Sequence, residues 1–293
     1  MLAPRWLVAQ TQDPISQMRA AAASATLTTT RLYDNLHLIQ GAGGNMVAQT
    51  GAQGKLLIDS SFSSVTAKLR AILDGLSSDP AHLLINTHWH FDHTDGNEGM
   101  RNAGFHILAH EKTRDHLSNT VEIRFLHATV HPSPRAALPE TSFDGVFETE
   151  HNDDTLTLSS YGPAHTDSDI SIYFHNADVL HVADTWFNGF YPFIDESTGG
   201  NINGMVNAVE KSLSIASAQT KIVPGHGPLG TKAQLQQFQN MLVEVREKVG
   251  ALKHRGLSEQ EVVARKPTAN LDAVWGKGMV SPDPFVGIVY RTL

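Results

Sequence analysis

The feature that most constrains this chain is a run of metal-binding side chains in residues 87–97, THWHFDHTDGN. His88, His90, Asp92 and His93 are all strong metal ligands and lie close together in this run. The apolar residues 83–85 precede them and predict a buried strand. Residues 94–97 are typical of turns and helix caps. The cluster therefore falls where a strand ends, which is where open α/β sheets place ligand sites.

The spacing within this run predicts how the side chains are used. His88 and His90 are two residues apart, so in an extended chain they project from one face and can bind one ion. Asp92 and His93 lie past the bend and can reach a second ion. Imidazole nitrogen and carboxylate oxygen suit zinc, with iron or manganese as alternatives. A polar surface loop rarely needs three imidazoles and a carboxylate in this order.

The pattern HxHxDH resembles the signature of the metallo-β-lactamase superfamily of metallo-hydrolases. That resemblance implies three more ligands downstream, and each has a candidate in the expected order. His165 lies in GPAHTD, Asp184 follows the apolar stretch 179–183, and His226 lies in PGHGP. All three are expected at strand ends. A single HxH would be a weak signal, but matches that continue in order from His88 to His226 are a strong one.

The resemblance also implies an α/β fold, the αββα sandwich, in which two mixed β-sheets are flanked by helices and the metals lie at one sheet edge. It implies two metal ions, taken as two Zn²⁺ with Fe or Mn as alternatives. By this resemblance, the first ion would be held by His88, His90 and His165. The second would be held by Asp92, His93 and His226. Asp184 would bridge the two ions.

Two divalent ions roughly 3.5–4 Å apart can share a water and lower its pKa towards about 7. The resulting hydroxide would attack an electrophilic carbonyl or phosphoryl centre, and the metals would stabilise charge on its oxygen. Asp92 is the candidate catalytic residue, because it could also orient this nucleophile. No protein nucleophile is predicted, because the chain has no cysteine and no Gly-x-Ser-x-Gly elbow.

The substrate class is less constrained. β-Lactamases that share the motif usually lack an aspartate at the place of Asp184, whereas glyoxalase II, lactonases and phosphodiesterases of this superfamily carry one. The prediction is therefore a hydrolase of an ester, lactone, thioester or amide, compatible with weak β-lactam turnover. Alternatives are a phosphodiesterase or nuclease, a mononuclear iron persulfide dioxygenase, and a binding module without catalysis. His90 argues against the flavin-coupled di-iron relatives, which carry glutamate there.

Composition narrows the partners. The chain has 22 basic and 30 acidic residues, a net charge of −8, and no basic cluster of the kind that nucleic-acid binding draws on. It also lacks the roughly 18 consecutive apolar residues of a membrane span. A small-molecule substrate is predicted, without nucleic acid or membrane, and the oligomeric state is left open. The absence of cysteine excludes disulfides and thiolate ligands but does not decide the compartment.

The domain prediction is an N-terminal arm or short helix over residues 1–26 and a single metallo-β-lactamase-fold domain over 27–293. Arg5 is followed by an apolar run at 6–9 that is too short for a usual secretion signal. Whether an export signal precedes Met1 stays open. The Ala-rich residues 18–25 predict a short helix that either packs on the domain or forms a flexible arm.

Residues 27–59 predict a β-meander, with 41–44 as a flexible turn, since a phosphate loop would need a lysine and a following helix. Asp59 either supports the metal ligands or caps the next helix. Residues 118–145 lack periodicity and predict a long loop near the active-site rim. His127 and His131 in that loop are expected to be solvated.

The second half contains an aromatic run at 185–193, which either walls the substrate pocket or packs in the core. His181 is expected to be a satisfied core histidine. Helices are predicted over 205–216, 234–252 and 258–265, the last with Ser258 and Glu261 as a capping box. The tail 267–293 is predicted to be an edge element with helical content.

Overall fold

The computed structural model describes residues 13–293, so the predicted apolar run at 6–9 and the first part of the arm lie outside the described residues. The strands in this part are β1 (Thr28–Tyr33), β2 (Leu36–Gln40), β3 (Met46–Gln49), β4 (Lys55–Ile58), β5 (Ala81–Asn86), β6 (His106–His110), β7 (Val121–Ile123), β8 (Ala128–Val130), β9 (Thr141–Phe143), β10 (Val146–His151), β11 (Asp154–Ser160), β12 (Ile170–Phe174), β13 (Val179–Phe187) and β14 (Lys221–His226). The helices are α1 (Pro14–Ala23), α2 (Thr66–Leu76), α3 (Phe91–Thr94), α4 (Asn97–Asn102), α5 (Glu111–Ser118), α6 (Ile202–Ile215), α7 (Lys232–His254), α8 (Glu259–Ala264), α9 (Asp272–Trp275) and α10 (Pro282–Thr292).

Within residues 13–293 the strands form two large mixed sheets and the β7–β8 hairpin. The first sheet has the order β1-β2-β3-β4-β5-β6-β9 and the second has the order β10-β11-β12-β13-β14. The first is antiparallel from β1 to β4 and parallel from β4 onwards. The second is antiparallel except for the parallel pair β13–β14. This arrangement confirms the predicted α/β class and its two mixed sheets.

The two sheets pack face to face over apolar side chains that alternate along the strands. Leu38, Val47, Ile85, Leu158 and Ile172 belong to this inner layer and have no exposed surface. Full burial of such a side chain contributes about 1.5–3 kcal/mol relative to exposure. The inner layer therefore fixes which strand ends come together at the sheet edge.

Helices cover both outer faces, which completes the αββα order of layers. On the first sheet, Leu57 and Leu84 pack with Leu69 of α2. On the second sheet, Leu180 and Ile222 belong to the cluster that includes α6, α7 and α10. No helix in residues 13–293 combines the length and the apolar character needed to cross a bilayer.

The N-terminal segment packs on the domain as far as it is described. Helix α1 begins four residues before the predicted 18–25, at Pro14. Arg19 donates two hydrogen bonds to Asp95, over 2.9 and 2.6 Å, and Lys68 donates to the carbonyl of Ala23 over 2.8 Å. This helix therefore lies against the loop that follows His93. The domain boundary at residue 27 itself stays a prediction.

Two predicted segments have more structure than expected. The long loop at 118–145 contains the hairpin β7–β8 and strand β9. These strands are only three residues long, which is too short for a periodic pattern to show. The tail does not form a sheet edge, because its second half folds into α10, which buries Phe285 and Val289. The predicted capping box of Ser258 and Glu261 is present at α8.

A histidine pair lies at the opposite end of the β5 strand from the ligand run. His151 Nδ1 lies 3.0 Å from Gln49 Oε1, and its Nε2 lies 2.8 Å from His82 Nδ1. If His151 donates to Gln49, its other nitrogen accepts from His82. Protonating His151 would then set two N–H donors against each other. Burial, followed by the charge on His82, lowers the pKa of His151 to about 4.

This pair predicts an acid sensitivity. Because the pKa of His151 is lower in the folded state, its contribution to stability is fully present above about pH 6.5 and is lost as the pH falls from there towards 4. We expect His151→Gln to make the unfolding free energy less dependent on pH in this window. The control is His254→Gln, on an exposed histidine. Denaturant unfolding at several pH values measures this dependence. Equal slopes of unfolding free energy against pH for wild type and His151→Gln would contradict the prediction.

Candidate metal centre

The seven side chains predicted to be ligands converge at one edge of the sandwich. Within residues 13–293, potential ligand atoms of each set lie within 4.8 Å of one another. The first set joins the 88–90 segment to the 161–169 loop and β13. The second joins the α3 turn to the end of β14. The sets are His88, His90, His165 and Asp184, and Asp92, His93 and His226.

The predicted placement at strand ends is right for His226, which is the last residue of β14, but wrong for Asp184. That residue lies inside β13, which continues to Phe187. The pairing of β13 with β14 shifts register on both sides of Ala183, whose φ is +47°. Such a bulge re-aims the next side chain. The bulge therefore turns Asp184 towards the histidines in mid-strand.

Asp184 lies between the two sets. Its Oδ1 is 3.2 Å from His93 Nε2, and its Oδ2 is 3.3 Å from His226 Nε2 and 3.4 Å from His165 Nε2. His88 Nε2 is 3.9 Å from Oδ2. One buried carboxylate thus faces imidazoles of both sets, which is the geometry expected of a bridging ligand.

The hydrogen bonds of His90 and His165 leave two lone pairs facing each other. His90 Nε2 lies 3.1 Å from Asp195 Oδ2, and His165 Nδ1 lies 2.7 Å from the carbonyl of Phe193. Each partner is an acceptor, so each of these nitrogens carries the proton when its ring is neutral. The free nitrogens, His90 Nδ1 and His165 Nε2, are 2.9 Å apart. A cation between them would remove their repulsion.

A second network sets the orientation of His88 and His93. Asp59 accepts from the backbone N–H and the hydroxyl of Thr87, over 2.8 and 2.7 Å. It also lies 2.7 Å from His93 Nδ1. Because the Thr87 hydroxyl donates to Asp59, it can accept from His88 Nδ1, 3.1 Å away. Of the two roles considered for Asp59, the structure therefore favours support of the metal ligands.

The inner atoms of this site fit a metal ion. His88 Nε2, His93 Nε2 and Asp184 Oδ1 are buried and make no hydrogen bond within the described residues. Buried polar atoms are normally satisfied, so such orphans call for an explanation. Nitrogen and carboxylate donors without cysteine suit Zn²⁺, Mn²⁺ or Fe²⁺. Bound metal at this edge would satisfy these three atoms.

The electrostatics follow from packing carboxylates against imidazoles. Burial opposes ionisation of Asp92, but His93 and His226 outweigh it and lower the pKa of Asp92 to about 2. Burial likewise opposes protonation of His226, but Asp184 and Asp92 raise the pKa of His226 to about 10. Without a metal, a proton on His226 thus balances the charge of the two carboxylates. Metal binding must displace this proton.

Two glycines at the site were missed as functional positions. A Cβ on Gly44 would overlap the ring of His93, and one on Gly225 would overlap Asp184 Oδ1. Residues 41–44 are predicted only to be a flexible turn, because they lack the lysine and the following helix of a phosphate loop, and Gly225 enters the prediction only as part of PGHGP. Both glycines let the backbone approach a ligand closely, and sequence could not show which ligand.

A cavity of about 230 Å³ opens over the ligands. Its floor includes His90, Asp92, Asp184 and His226. Its walls are apolar or aromatic and come from the 187–193 segment and from 278–280, namely Phe187, Phe190, Tyr191, Phe193, Met279 and Val280. The aromatic run therefore has both predicted roles: four of its rings line the cavity, and Trp186 is fully buried in the core. The contribution of 278–280 was missed, since nothing in the tail sequence marks it.

The other histidines lie apart from this floor. His181 is fully buried, 3.2 Å from the carbonyl of Asn45, and accepts from Ala183 N–H, so it is satisfied as expected. His127 and His131 are exposed and do not line the cavity. Phe125 in the same segment does approach the wall, with its ring centroid 5.1 Å from that of Phe193.

The family model of the metallo-beta-lactamase superfamily matches residues 40–229. Among curated proteins, the chain is 30% identical over 145 residues to 2,4-dinitroanisole O-demethylase subunit alpha of Nocardioides sp. (strain JS1661). That match spans 49% of this chain and 41% of the relative, so the chain spans less than half the length of the curated relative.

Solved structures share the fold at low identity. A metallo-beta-lactamase from Pontibacter korlensis has a TM-score of 0.62 at 16% identity, over 74% of this chain and 99% of that one. The stereoselective inverting sec-alkylsulfatase Pisa1 from Pseudomonas sp. has a TM-score of 0.69 at 16% identity, over 90% of this chain and 50% of that one. These matches extend the fold likeness beyond the segment that the family model covers.

Proposed function

Because the chain belongs to the metallo-β-lactamase superfamily of hydrolases, we propose that it is a dinuclear, zinc-dependent enzyme that hydrolyses an ester, lactone, thioester or amide of a small molecule. The observation that carries this proposal is the convergence of seven potential ligand side chains in two sets, with Asp184 of the first set within 3.3 Å of His93 and His226 of the second. A site for one ion would need only the first of these sets.

The proposal assigns the ions to residues as follows. His88, His90 and His165 would hold the first, and the second set described above would hold the other, with Asp184 between them. When bound, the two cations supply a water of lowered pKa and positive charge for the substrate oxygen. The outer nitrogens of His90 and His165 are already held by Asp195 and Phe193, so the ligands are oriented before any ion binds.

Asp92 is the proposed catalytic residue among these side chains. It lines the cavity, and 20% of its side chain is exposed, against 4% for Asp184. The pKa of Asp92 is lowered to about 2, so its carboxylate is ionised at neutral pH. It would therefore accept a hydrogen bond from the attacking water and orient it towards the substrate held against the aromatic walls.

The alternatives from the sequence fit the site less well. A phosphodiester carries a negative charge, and no lysine or arginine among the described residues lines the cavity. A mononuclear iron dioxygenase would leave the second set of ligands without a role. A binding module that has lost catalysis is disfavoured because all seven positions are filled and mutually oriented.

A second candidate function is hydrolytic cleavage of an activated aryl ether. Two observations favour it, the aromatic walls of the cavity and the likeness to a protein named as a 2,4-dinitroanisole O-demethylase subunit. The same nucleophile would attack the electron-poor aromatic carbon that bears the ether oxygen instead of a carbonyl carbon. The bond between that carbon and the ether oxygen would break, and the alkoxide would take up a proton and leave as the alcohol, with a phenol as the other product. This candidate shares the metal site and differs only in the electrophile.

A substrate screen with zinc-reconstituted protein tests the proposal. It includes nitrocefin, a lactone, a thioester, an aryl ester, bis-p-nitrophenyl phosphate and 2,4-dinitroanisole. We expect the carbonyl substrates to be turned over fastest, and chelator-treated protein to be inactive until zinc is restored. The proposal would be contradicted if only bis-p-nitrophenyl phosphate were turned over. It would also be contradicted if protein that carries both metals hydrolysed none of the carbonyl substrates.

A further inference from the structure

Most of the wall of the cavity over the ligands consists of aromatic rings that stack on neighbouring rings. The ring of Phe187 stacks on His226 with centroids 5.1 Å apart and planes at 17°, and Phe193 stacks on His90 at 5.7 Å and 24°. Tyr191 stacks on Phe285 at 4.5 Å and 18°. A Cβ on Gly278 would lie 2.8 Å from Phe190 Cβ, so the 278–280 segment presses directly on Phe190. The aromatic part of the walls therefore has little freedom to reshape around a ligand.

The charged side chains among the described residues that line the cavity lie on its floor. In the walls, of the residues the structure describes, only Tyr191 has a polar side-chain group, and its hydroxyl donates to Asp272 over 2.8 Å. Burial and the bond to Asp272 raise the pKa of Tyr191, so the hydroxyl stays neutral. No lysine or arginine among residues 13–293 reaches this lining. A charged group placed against these walls would lose its hydration without gaining a partner.

The volume of the cavity indicates which apolar group fits inside it. Its volume of about 230 Å³ is below the roughly 300–1,000 Å³ of common ligand pockets. An apolar cavity of about 150 Å³ is enough for benzene. The space therefore suits one ring with a short substituent.

We propose that the site selects uncharged substrates in which a single flat apolar ring adjoins the bond that is broken, and that the aromatic walls and Met279 determine this selectivity. The inference rests on the proposed function, because it names the substrate class of the same site. Met279 is the useful position for a test, since it lines the cavity and is 58% exposed. A long side chain there can change without disturbing the core.

The test compares two esters of nearly equal shape, 4-acetoxybenzamide and 4-acetoxybenzoate, which differ in the charge of the para group. With rates corrected for spontaneous hydrolysis, we expect kcat/KM to be at least about 10-fold higher for the neutral ester. Met279→Lys should shrink this ratio several-fold by giving the carboxylate a partner. Val274→Lys is the matched control, because Val274 is 61% exposed and does not line the cavity; it should leave the ratio unchanged.

Calorimetric binding of 4-acetylbenzamide and 4-acetylbenzoate to the zinc-loaded protein separates this inference from the proposed function, because a ketone replaces the ester and leaves no acyl–oxygen bond to hydrolyse. If the neutral amide binds selectively but no ester is turned over, the proposed function is contradicted and the proposed selectivity is supported. Equal or faster turnover of the anionic ester, with a ratio that Met279→Lys does not change, would overturn the selectivity and keep the function. Failure of the neutral amide to bind would also overturn the selectivity.

Discussion

Asp184→Asn is expected to abolish the paired metal site while leaving the fold intact. The substitution keeps the shape of the side chain but removes the charge that faces His93, His165 and His226. Loss of an outer-sphere partner alone typically costs about 10–100-fold in metal affinity or activity, and we expect loss of this bridging carboxylate to cost more. Metal content at limiting zinc and kcat/KM with any working substrate should fall together.

The control for this substitution is His181→Gln, three residues earlier on the same strand. His181 is buried and faces the carbonyl of Asn45, so the change should cost stability, on the order of 1 kcal/mol for a perturbed hydrogen bond. His181 also accepts from the N–H of Ala183 at the bulge, so metal content at limiting zinc should fall far less than in Asp184→Asn, and at saturating zinc both metal content and turnover should match the wild type. Asp184→Asn protein that still binds two ions tightly would show that this aspartate is not the bridge.

The second large effect is expected at Asp59, which is not itself predicted to touch a metal. Its carboxylate receives both donors of Thr87 and the Nδ1 of His93. Asparagine tolerates the φ of +61° at this position, but its NH₂ group must face at least one of these donors. Leaving a buried donor without an acceptor costs about 1–3 kcal/mol. We expect Asp59→Asn to weaken metal binding by about 10–100-fold.

Asp195→Asn provides the matched comparison, because Asp195 supports His90 through one contact. Burial opposes its ionisation, but the hydrogen bond and charge of His90, together with Thr198 and His165, outweigh burial and lower the pKa of Asp195 to about 2. Asp59 orients His93 directly and His88 through Thr87, so Asp59→Asn should weaken the binding of both ions. Asp195→Asn should weaken mainly the binding of one. Zinc titrations against a chelating dye resolve the two steps, and identical titrations for both variants would contradict this division.

The ligands were predictable because the sequence carries their chemistry in a fixed order. His88, His90 and His93 lie in one run, and His165 and His226 sit in short motifs that the resemblance anticipates. The two mixed sheets followed from the same resemblance and from strand patterns. The structure brings these residues together, and their role in binding metal stays a prediction.

The supporting contacts were harder to predict because they join distant parts of the chain. Asp195 is 105 residues from His90, and no local pattern pairs them. The bulge at Ala183 cannot be read from an apolar strand, although it is what aims Asp184. The wall at Met279 comes from the 278–280 segment, which lies between α9 and α10 and has no motif that marks it. Each of these depends on tertiary packing that brings separate segments to one sheet edge.

The most direct test of the central claim is the number of metal ions per chain. The protein is stripped with a chelator, reconstituted with excess zinc, freed of unbound metal by gel filtration, and measured by elemental analysis against protein concentration from amino-acid analysis. The two sets of ligands around Asp184 predict about two zinc ions per chain. A protein that binds none, or never more than one under saturating zinc, iron or manganese, would contradict the account.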